Sequence, residues 1–256
     1  MICWAQIWGH MELLKDRSGD VDGGFASCHY YADQMAKYTG ASRDQIRVVP
    51  LAQSRWSRWN RTRSGLRTVY NRLSSTHLAR KGIALLVKAF YQLTQKLGKD
   101  KIRLKVAGFL GTGDQAYFDQ ICQQLRNWNI FDAFEYWGEI SREQKIRLLN
   151  QIPVLSVPTG YRESKDLFVL ESLANRPPVV LPDYGSFLEL VQATAGGILV
   201  RPLSADATAK GMLKLIQKPD LCQQLVKNGK QTVHQELGIS QTAKNMLAVL
   251  HNYASR

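Results

Sequence analysis

The sequence has few cysteines, no long hydrophobic run and, over one internal stretch, no acidic residue. Its four cysteines are Cys3, Cys28, Cys122 and Cys222, and none has CxxC or CxH spacing. This spacing argues against a zinc site or a disulfide framework and fits a reducing compartment. The longest apolar runs, such as 83–87, are far shorter than the roughly 18 residues that a membrane span needs. The amino terminus has no basic flank followed by an apolar stretch, so we expect no signal peptide and a cytoplasmic location.

The positive charge of the chain is concentrated in one segment. The formal net charge is +13 over 256 residues, but no Asp or Glu lies between Asp44 and Asp100. Twelve of the 34 Lys and Arg residues fall there, which leaves 22 basic residues against 21 acidic ones elsewhere. The excess of positive charge is therefore a property of this segment, and the rest of the protein is nearly neutral.

The composition, 45% hydrophobic and 21% charged, is that of a globular protein. From residue 81 onward, short strand patterns alternate with helical patterns. The predicted strands are 102–107, 133–137, 154–157, 178–181 and 197–200, and the predicted helices are 82–93, 114–128, 142–150, 168–174, 186–192 and most of 204–253. This alternation predicts an α/β fold, a doubly wound parallel sheet of Rossmann-like type with helices on both faces.

Ligands of such sheets bind beyond the carboxyl ends of the strands. The loops 108–113, 138–141, 159–166 and 183–186 are therefore expected to face one cleft. We therefore expect the functional residues to lie in these loops.

The first 80 residues follow a less regular pattern. Residues 30–38 predict a helix and 45–50 a short strand, whereas 53–80 carries Trp56 and Trp59 among arginines without a sustained period. Three interpretations of this irregular basic segment stay open. The first is a nucleic-acid contact, and the second is a loop that faces an anionic membrane or a lipid-linked acceptor. The third, which we favour, is a divergent or scrambled linker.

Two glutamates, Glu163 and Glu171, stand eight positions apart where a strand gives way to a helix. If that helix begins near Asp166, its unpaired amides and positive dipole end face the cleft, which suits a phosphate or sugar hydroxyls. The alternative is a pair of surface glutamates on an amphipathic helix.

The surrounding motifs, in their order, favour the interpretation of Glu163 and Glu171 as ligand-binding residues. They are Val154-Leu155-Ser156-Val157-Pro158, Tyr161-Arg162-Glu163, Leu167-Phe168-Val169-Leu170-Glu171-Ser172-Leu173-Ala174, Pro178-Val179-Val180, Gly185 and Glu189, with Lys81-Gly82, Val106-Ala107-Gly108, Gly138-Glu139-Ile140 and Gly197-Ile198-Leu199-Val200-Arg201-Pro202 in support. This set resembles the donor-binding half of retaining glycosyltransferases of family 4, which have the GT-B fold. The resemblance covers about residues 81–253 and, less closely, 25–51.

The resemblance implies a role for each matching residue toward a nucleotide-diphosphate sugar. Glu171 would bind the ribose hydroxyls, and Glu163 would lie beside the donor sugar. The amides around Leu167 and Phe168 would line the sugar and the phosphates. Glu163 is accordingly the first catalytic candidate.

The resemblance also assigns the basic residues and the glycine loops. Lys81, the second catalytic candidate, would neutralise the diphosphate leaving group with Arg72 as its partner, so no metal or other cofactor is expected. The backbone near Gly138 and Ile140 would hold the base, and Gly108 belongs to the same donor-binding set. Asp166 stands where the family usually has glycine, and its carboxylate would repel a nearby diphosphate.

These assignments divide the chain into three parts. Residues 1–52 are interpreted as the remnant of an amino-terminal domain with the interdomain stretch, 53–80 as the irregular basic segment, and 81–256 as the nucleotide-sugar-binding domain. The expected activity is hexose transfer with retention to an acceptor that is a glycan, a lipid or a small molecule. The chain is expected to be truncated, with a separate chain or an anionic membrane surface as further partners. The alternatives are a nonenzymatic nucleotide-sugar-binding module and a basic nucleic-acid-binding protein.

Overall fold

The computed structural model describes residues 2–4, 21–52, 67–73, 82–160 and 167–254, with backbone alone at 2–4 and 67–73. The amino-terminal part forms a three-stranded parallel sheet in the order β1-β2-β3. Its elements are β1 (Ile2–Trp4), β2 (Gly23–Ala26), α1 (His29–Thr39) and β3 (Ile46–Val48). The predicted helix and strand at 30–38 and 45–50 are confirmed as α1 and β3. We call residues 21–52 with β1 the amino-terminal unit.

The remaining strands form a six-stranded sheet in which every pair is parallel. They are β4 (Arg67–Leu73), β5 (Ile102–Gly108), β6 (Phe134–Tyr136), β7 (Val154–Ser156), β8 (Val179–Pro182) and β9 (Gly197–Val200). The order β6-β5-β4-β7-β8-β9 is that of the Rossmann fold, whose strand order reverses between the two central strands. The predicted doubly wound α/β fold is confirmed.

The strand β4 corrects the interpretation of 53–80 as irregular. It lies at the centre of the sheet, pairing with β5 from Arg67 opposite Ile102 to Leu73 opposite Gly108, and also with β7. The sheet therefore begins before residue 81. Central parallel strands usually have continuous apolar sequences. The sequence of β4, Arg-Thr-Val-Tyr-Asn-Arg-Leu, is not continuously apolar and therefore does not predict a strand. Residues 53–66 and 74–80 lie outside the described residues.

Helices cover both faces of this sheet. Buried side chains of α2 (Ile83–Leu97), α3 (Gln115–Asn127) and α7 (Ala205–Gln217) form one core. Those of α4 (Arg142–Gln151), α5 (Leu167–Asn175), α6 (Ser186–Thr194) and α8 (Pro219–Gln235) form the other. The predicted helices agree with these bounds to within a few residues. Residues 67–235 are called the large-sheet unit below.

The last helix, α9 (Ile239–Ala254), returns to the amino-terminal unit. The Tyr253 hydroxyl donates a hydrogen bond of 2.6 Å to the Gln45 carbonyl, and Thr242 donates one of 3.2 Å to the Pro50 carbonyl. The Tyr253 ring packs edge-on against Phe25, with centroids 6.3 Å apart. Along the described part of the chain, no helix combines the length and the apolar character needed to cross a bilayer.

Candidate functional site

The carboxyl ends of the large sheet's strands meet at one edge, because all its pairs are parallel. The loops that follow β5, β6, β7 and β8 start from this edge. In sheets of this order the ligand crevice lies where the strand order reverses, which here is between β4 and β7. The expected cleft is therefore at this edge.

Two of the predicted glycines are in direct contact. The Gly108 amide donates a 2.7 Å hydrogen bond to the Gly138 carbonyl, and the Tyr136 hydroxyl donates one of 2.7 Å to the Gly108 carbonyl. Burial raises the pKa of Tyr136, and the nearby Glu139 carboxylate raises it further, so the hydroxyl remains a donor at neutral pH. Gly138 has φ +62°, and a Cβ built on it meets no atom of the described residues within 4 Å. The described part of the chain therefore leaves space beside the Gly138 backbone.

A third glycine brings α2 against the end of β7. Gly82 has φ +74°, and a Cβ on it would lie 1.9 Å from the Pro158 carbonyl oxygen. Only glycine allows this approach. Lys81 precedes Gly82 in the sequence but lies outside the described residues.

The helix α5 begins at Leu167, close to the predicted start. Leu167 is exposed at its amino end, and Phe168 packs edge-on against Phe187 with centroids 6.0 Å apart. The first amides of a helix have no partner within it, so this end suits an anionic or hydroxyl-rich ligand. Asp166 and Glu163 lie outside the described residues.

Glu171 lies in the second turn of α5 and is paired with a lysine. The Lys145 Nζ donates a 2.6 Å hydrogen bond to Glu171 Oε1, and the two side chains are only 15% and 12% exposed. The surface-glutamate alternative is therefore wrong for Glu171. Lys145 was not among the predicted site residues, because 26 positions separate it from Glu171 and no local pattern links them.

The remaining predicted residues fall at the same edge. Ile140 is half-buried against the core formed by α4, α5 and α6, as are Trp137 and Phe168. Arg72 lies in β4 opposite Ala107, one position before Gly108 pairs with Leu73. The interpretation of 53–80 as an irregular segment is therefore wrong for Arg72.

The loop after β8 also joins this edge. Tyr184 donates its hydroxyl proton to the Thr159 carbonyl, which ties the loop to the end of β7. From α6, Glu189 accepts hydrogen bonds from the His29 amide at 2.8 Å and the Tyr30 amide at 2.6 Å. The carboxylate thus caps α1 across the boundary between the two units.

A cavity of about 540 Å³ lies at the same boundary. Its walls come from the start of α1, the end of β3, α5 and α6. They are formed by Ser27, Cys28, His29, Val48, Pro50, Leu51, Leu170, Ser186, Glu189, Leu190, Gln192, Ala193 and Leu237. Leu170 adjoins Glu171 in the sequence, so α5 contributes both to the cavity and to the site.

Together these features define a Rossmann-like domain with a candidate ligand site at the carboxyl edge of its sheet. The model of the family described as Glycosyl transferases group 1 matches residues 71–232, and the chain belongs to this family. The match begins inside β4, which agrees with the corrected start of the sheet.

Individual proteins are similar to this chain in sequence or in fold. An uncharacterized glycosyltransferase of Methanocaldococcus jannaschii is 25% identical over 170 residues, 66% of this chain and 41% of that protein. Sucrose-phosphate synthase from Thermosynechococcus elongatus has a TM-score of 0.81 at 20% identity, over 97% of this chain and 62% of that one. HepE from Anabaena, solved in complex with UDP and glucose, has a TM-score of 0.82 at 13% identity, over 98% and 71%.

These likenesses support the predicted GT-B type of fold, with a Rossmann-like carboxyl-terminal domain. The chain spans less than half the length of the M. jannaschii relative and 62% of the sucrose-phosphate synthase chain.

Proposed function

We propose that this chain is a glycosyltransferase, or its donor-binding part, that uses a nucleotide-diphosphate sugar and transfers the hexose with retention. The observation that carries the proposal is the position of Glu171. It is a shielded carboxylate on α5, the helix that follows β7 in the sequence, in a member of a glycosyltransferase family. A fixed carboxylate is a strong acceptor for ribose hydroxyls.

The proposed donor lies along the carboxyl edge. Its base rests on the backbone from Gly138 to Ile140, its ribose hydroxyls on Glu171, and its phosphates and sugar near the amino end of α5 at Leu167 and Phe168. Arg72 and Lys81 would neutralise the diphosphate, as the resemblance implies. Because HepE was solved with UDP and glucose, uridine donors are the first to test.

In the proposed reaction, the bond between the anomeric carbon and the diphosphate oxygen breaks. The nucleoside diphosphate leaves with the electron pair, and an acceptor hydroxyl oxygen forms the new bond while its proton is released. Positive charges from Lys81 and Arg72 would stabilise the negative charge that develops on the leaving group, the role a metal plays in other enzymes. Glu163, the first catalytic candidate, would contact the donor sugar.

The alternative is a nonenzymatic module that binds the donor without turnover. The two differ in whether nucleoside diphosphate is released from UDP-glucose, GDP-mannose or ADP-glucose. For the enzyme we expect release by transfer or slow hydrolysis, abolished in Glu163→Ala and unchanged in the matched control Glu236→Ala, an exposed site after α8. Proton NMR of the sugar first released tests retention. Donor binding with no release in the unmodified chain would overturn the enzymatic proposal in favour of the module.

A further inference from the structure

The ion pair between Lys145 and Glu171 joins the two helices that begin at the proposed base and phosphate sites. We propose that Lys145 is a positioning residue, which holds the Glu171 carboxylate in the orientation that accepts hydrogen bonds from the ribose of a nucleoside diphosphate. This inference rests on the proposed function, and it adds a residue that the sequence motifs do not contain.

The lysine is carried by a helix whose start is firmly held. Lys145 lies in the first turns of α4, directly after the loop from Gly138 to Ile140. A capping box fixes that turn: the Ser141 amide donates to Gln144 Oε1 at 2.7 Å, and the Gln144 amide donates to Ser141 Oγ at 3.2 Å. The backbone of Lys145 is thus fixed relative to the loop that would hold the base.

The glutamate is carried by an equally fixed helix. Val169, Leu170 and Leu173 of α5 are buried, and Asn175 Nδ2 donates a 2.8 Å hydrogen bond to the Glu171 carbonyl. With both backbones held, the remaining freedom lies in the side-chain torsions of the two residues. The bond from Lys145 Nζ to Glu171 Oε1 removes that freedom for the carboxylate before any ligand arrives.

Charge gives a second reason for the pair. A carboxylate shielded from water is costly without a partner. An unpaired one near a diphosphate would also repel it, and Lys145 cancels that negative charge. The lysine therefore lets a carboxylate serve the ribose next to an anionic group.

The test is whether Lys145 acts on the ribose hydroxyls in particular. Calorimetry is used to measure the affinities of UDP, GDP and ADP, each beside its 2′,3′-dideoxy counterpart, for the unmodified chain and for Lys145→Met, Lys145→Arg and Glu171→Gln. For the nucleotide that binds, we expect Lys145→Met to weaken the ribonucleotide about tenfold, the effect of one charged hydrogen bond. The dideoxy form should change little, and Lys145→Arg should restore part of the loss. Lys210→Met is the matched control, because Lys210 forms an exposed pair with Asp206 on α7.

The possible outcomes separate this inference from the proposed function. If Glu171→Gln removes the preference for the ribonucleotide but Lys145→Met does not, or if Lys145→Met weakens both forms equally, the positioning role is overturned and the donor site stands. If neither variant alters the preference, or no nucleotide binds, the ribose role of Glu171 fails and the inference with it.

A ligand-free measurement tests the pair itself. In a double-mutant cycle of urea unfolding with Lys145→Met and Glu171→Gln, we expect the two substitutions to be non-additive. Additive effects would overturn the inference. If Lys145→Met does not fold, Lys145→Gln and Lys145→Arg replace it in both experiments.

Discussion

The two units of this chain are stabilised differently. The large-sheet unit has a core on each face of its sheet, with large side chains such as Phe90 and Phe187 fully buried. The amino-terminal unit buries the small cluster of Ala26, Ala32, Met35 and Ile46. It is held in addition by contacts from outside itself, through Glu189 and Tyr253. We infer that the large-sheet unit is stabilised mainly by its own core and the amino-terminal unit by docking onto it.

The largest loss of stability is expected from a substitution inside the large-sheet unit. In Gly82→Ala the new Cβ would lie 1.9 Å from the Pro158 carbonyl oxygen, at a positive φ. We expect a loss of about 3 kcal/mol or more in the free energy of unfolding, measured by urea denaturation. Gly113→Ala is the control, since a Cβ there meets no atom of the described part of the chain within 4 Å. Equal stability of the two variants would refute the close contact at Gly82.

A smaller effect, confined to the amino-terminal unit, is expected from Tyr253→Ala. The change removes the ring that packs on Phe25 and the hydrogen bond to Gln45. We expect about 2 kcal/mol less protection for the amides of β2 and α1 in hydrogen exchange, with those of β5 and β8 unchanged. Asn252→Ala, an exposed neighbour, should alter neither set. Equal loss of protection in both units would show that they unfold together, and would contradict the inference that the amino-terminal unit depends on docking while the large-sheet unit depends on its own core.

The smallest effect is expected from Glu189→Gln. The carboxylate accepts hydrogen bonds from two amides at the start of α1, and the neutral amide side chain retains one acceptor without the charge. We expect a loss of about 1 kcal/mol, seen as faster exchange at the His29 and Tyr30 amides. Glu236→Gln is the matched control, and indistinguishable rates in the two variants would argue against the cap.

Much of the large-sheet unit was predictable, because its local patterns agree with the final fold. Strands such as 102–107 and helices such as 82–93 have periods that burial confirms. The strand β4 was not predictable, since Arg67 and Arg72 are unusual in a central strand. The strand β2 begins with two glycines, and the ring of Tyr253 occupies the space where a Cβ at Gly23 would lie. This packing explains the glycine at position 23, and it is visible only in the three-dimensional structure.

The candidate site also has features that the sequence predicts and features that it does not. The meeting of Gly108 with Gly138 followed from the rule that parallel strands end at one edge. The Lys145 partner of Glu171 and the Glu189 cap of α1 did not, because each joins residues far apart in the sequence. The ligand-binding roles given to the site residues, Glu171 included, stay predictions, and Glu163, Lys81 and Asp166 lie outside the described part of the chain.

We propose that Glu171 belongs to a working nucleotide-sugar site in the large-sheet unit. The most direct test is thermal unfolding of the chain with UDP-, GDP- and ADP-sugars, beside Glu171→Ala and Glu236→Ala. A donor at about 100 times its Kd adds roughly 2.7 kcal/mol, a rise of roughly 5 to 10 °C in Tm. We predict this rise with one donor class, its loss in Glu171→Ala and its retention in Glu236→Ala. A cooperative transition that no donor moves, or a rise that survives in Glu171→Ala, would contradict the proposed role of Glu171.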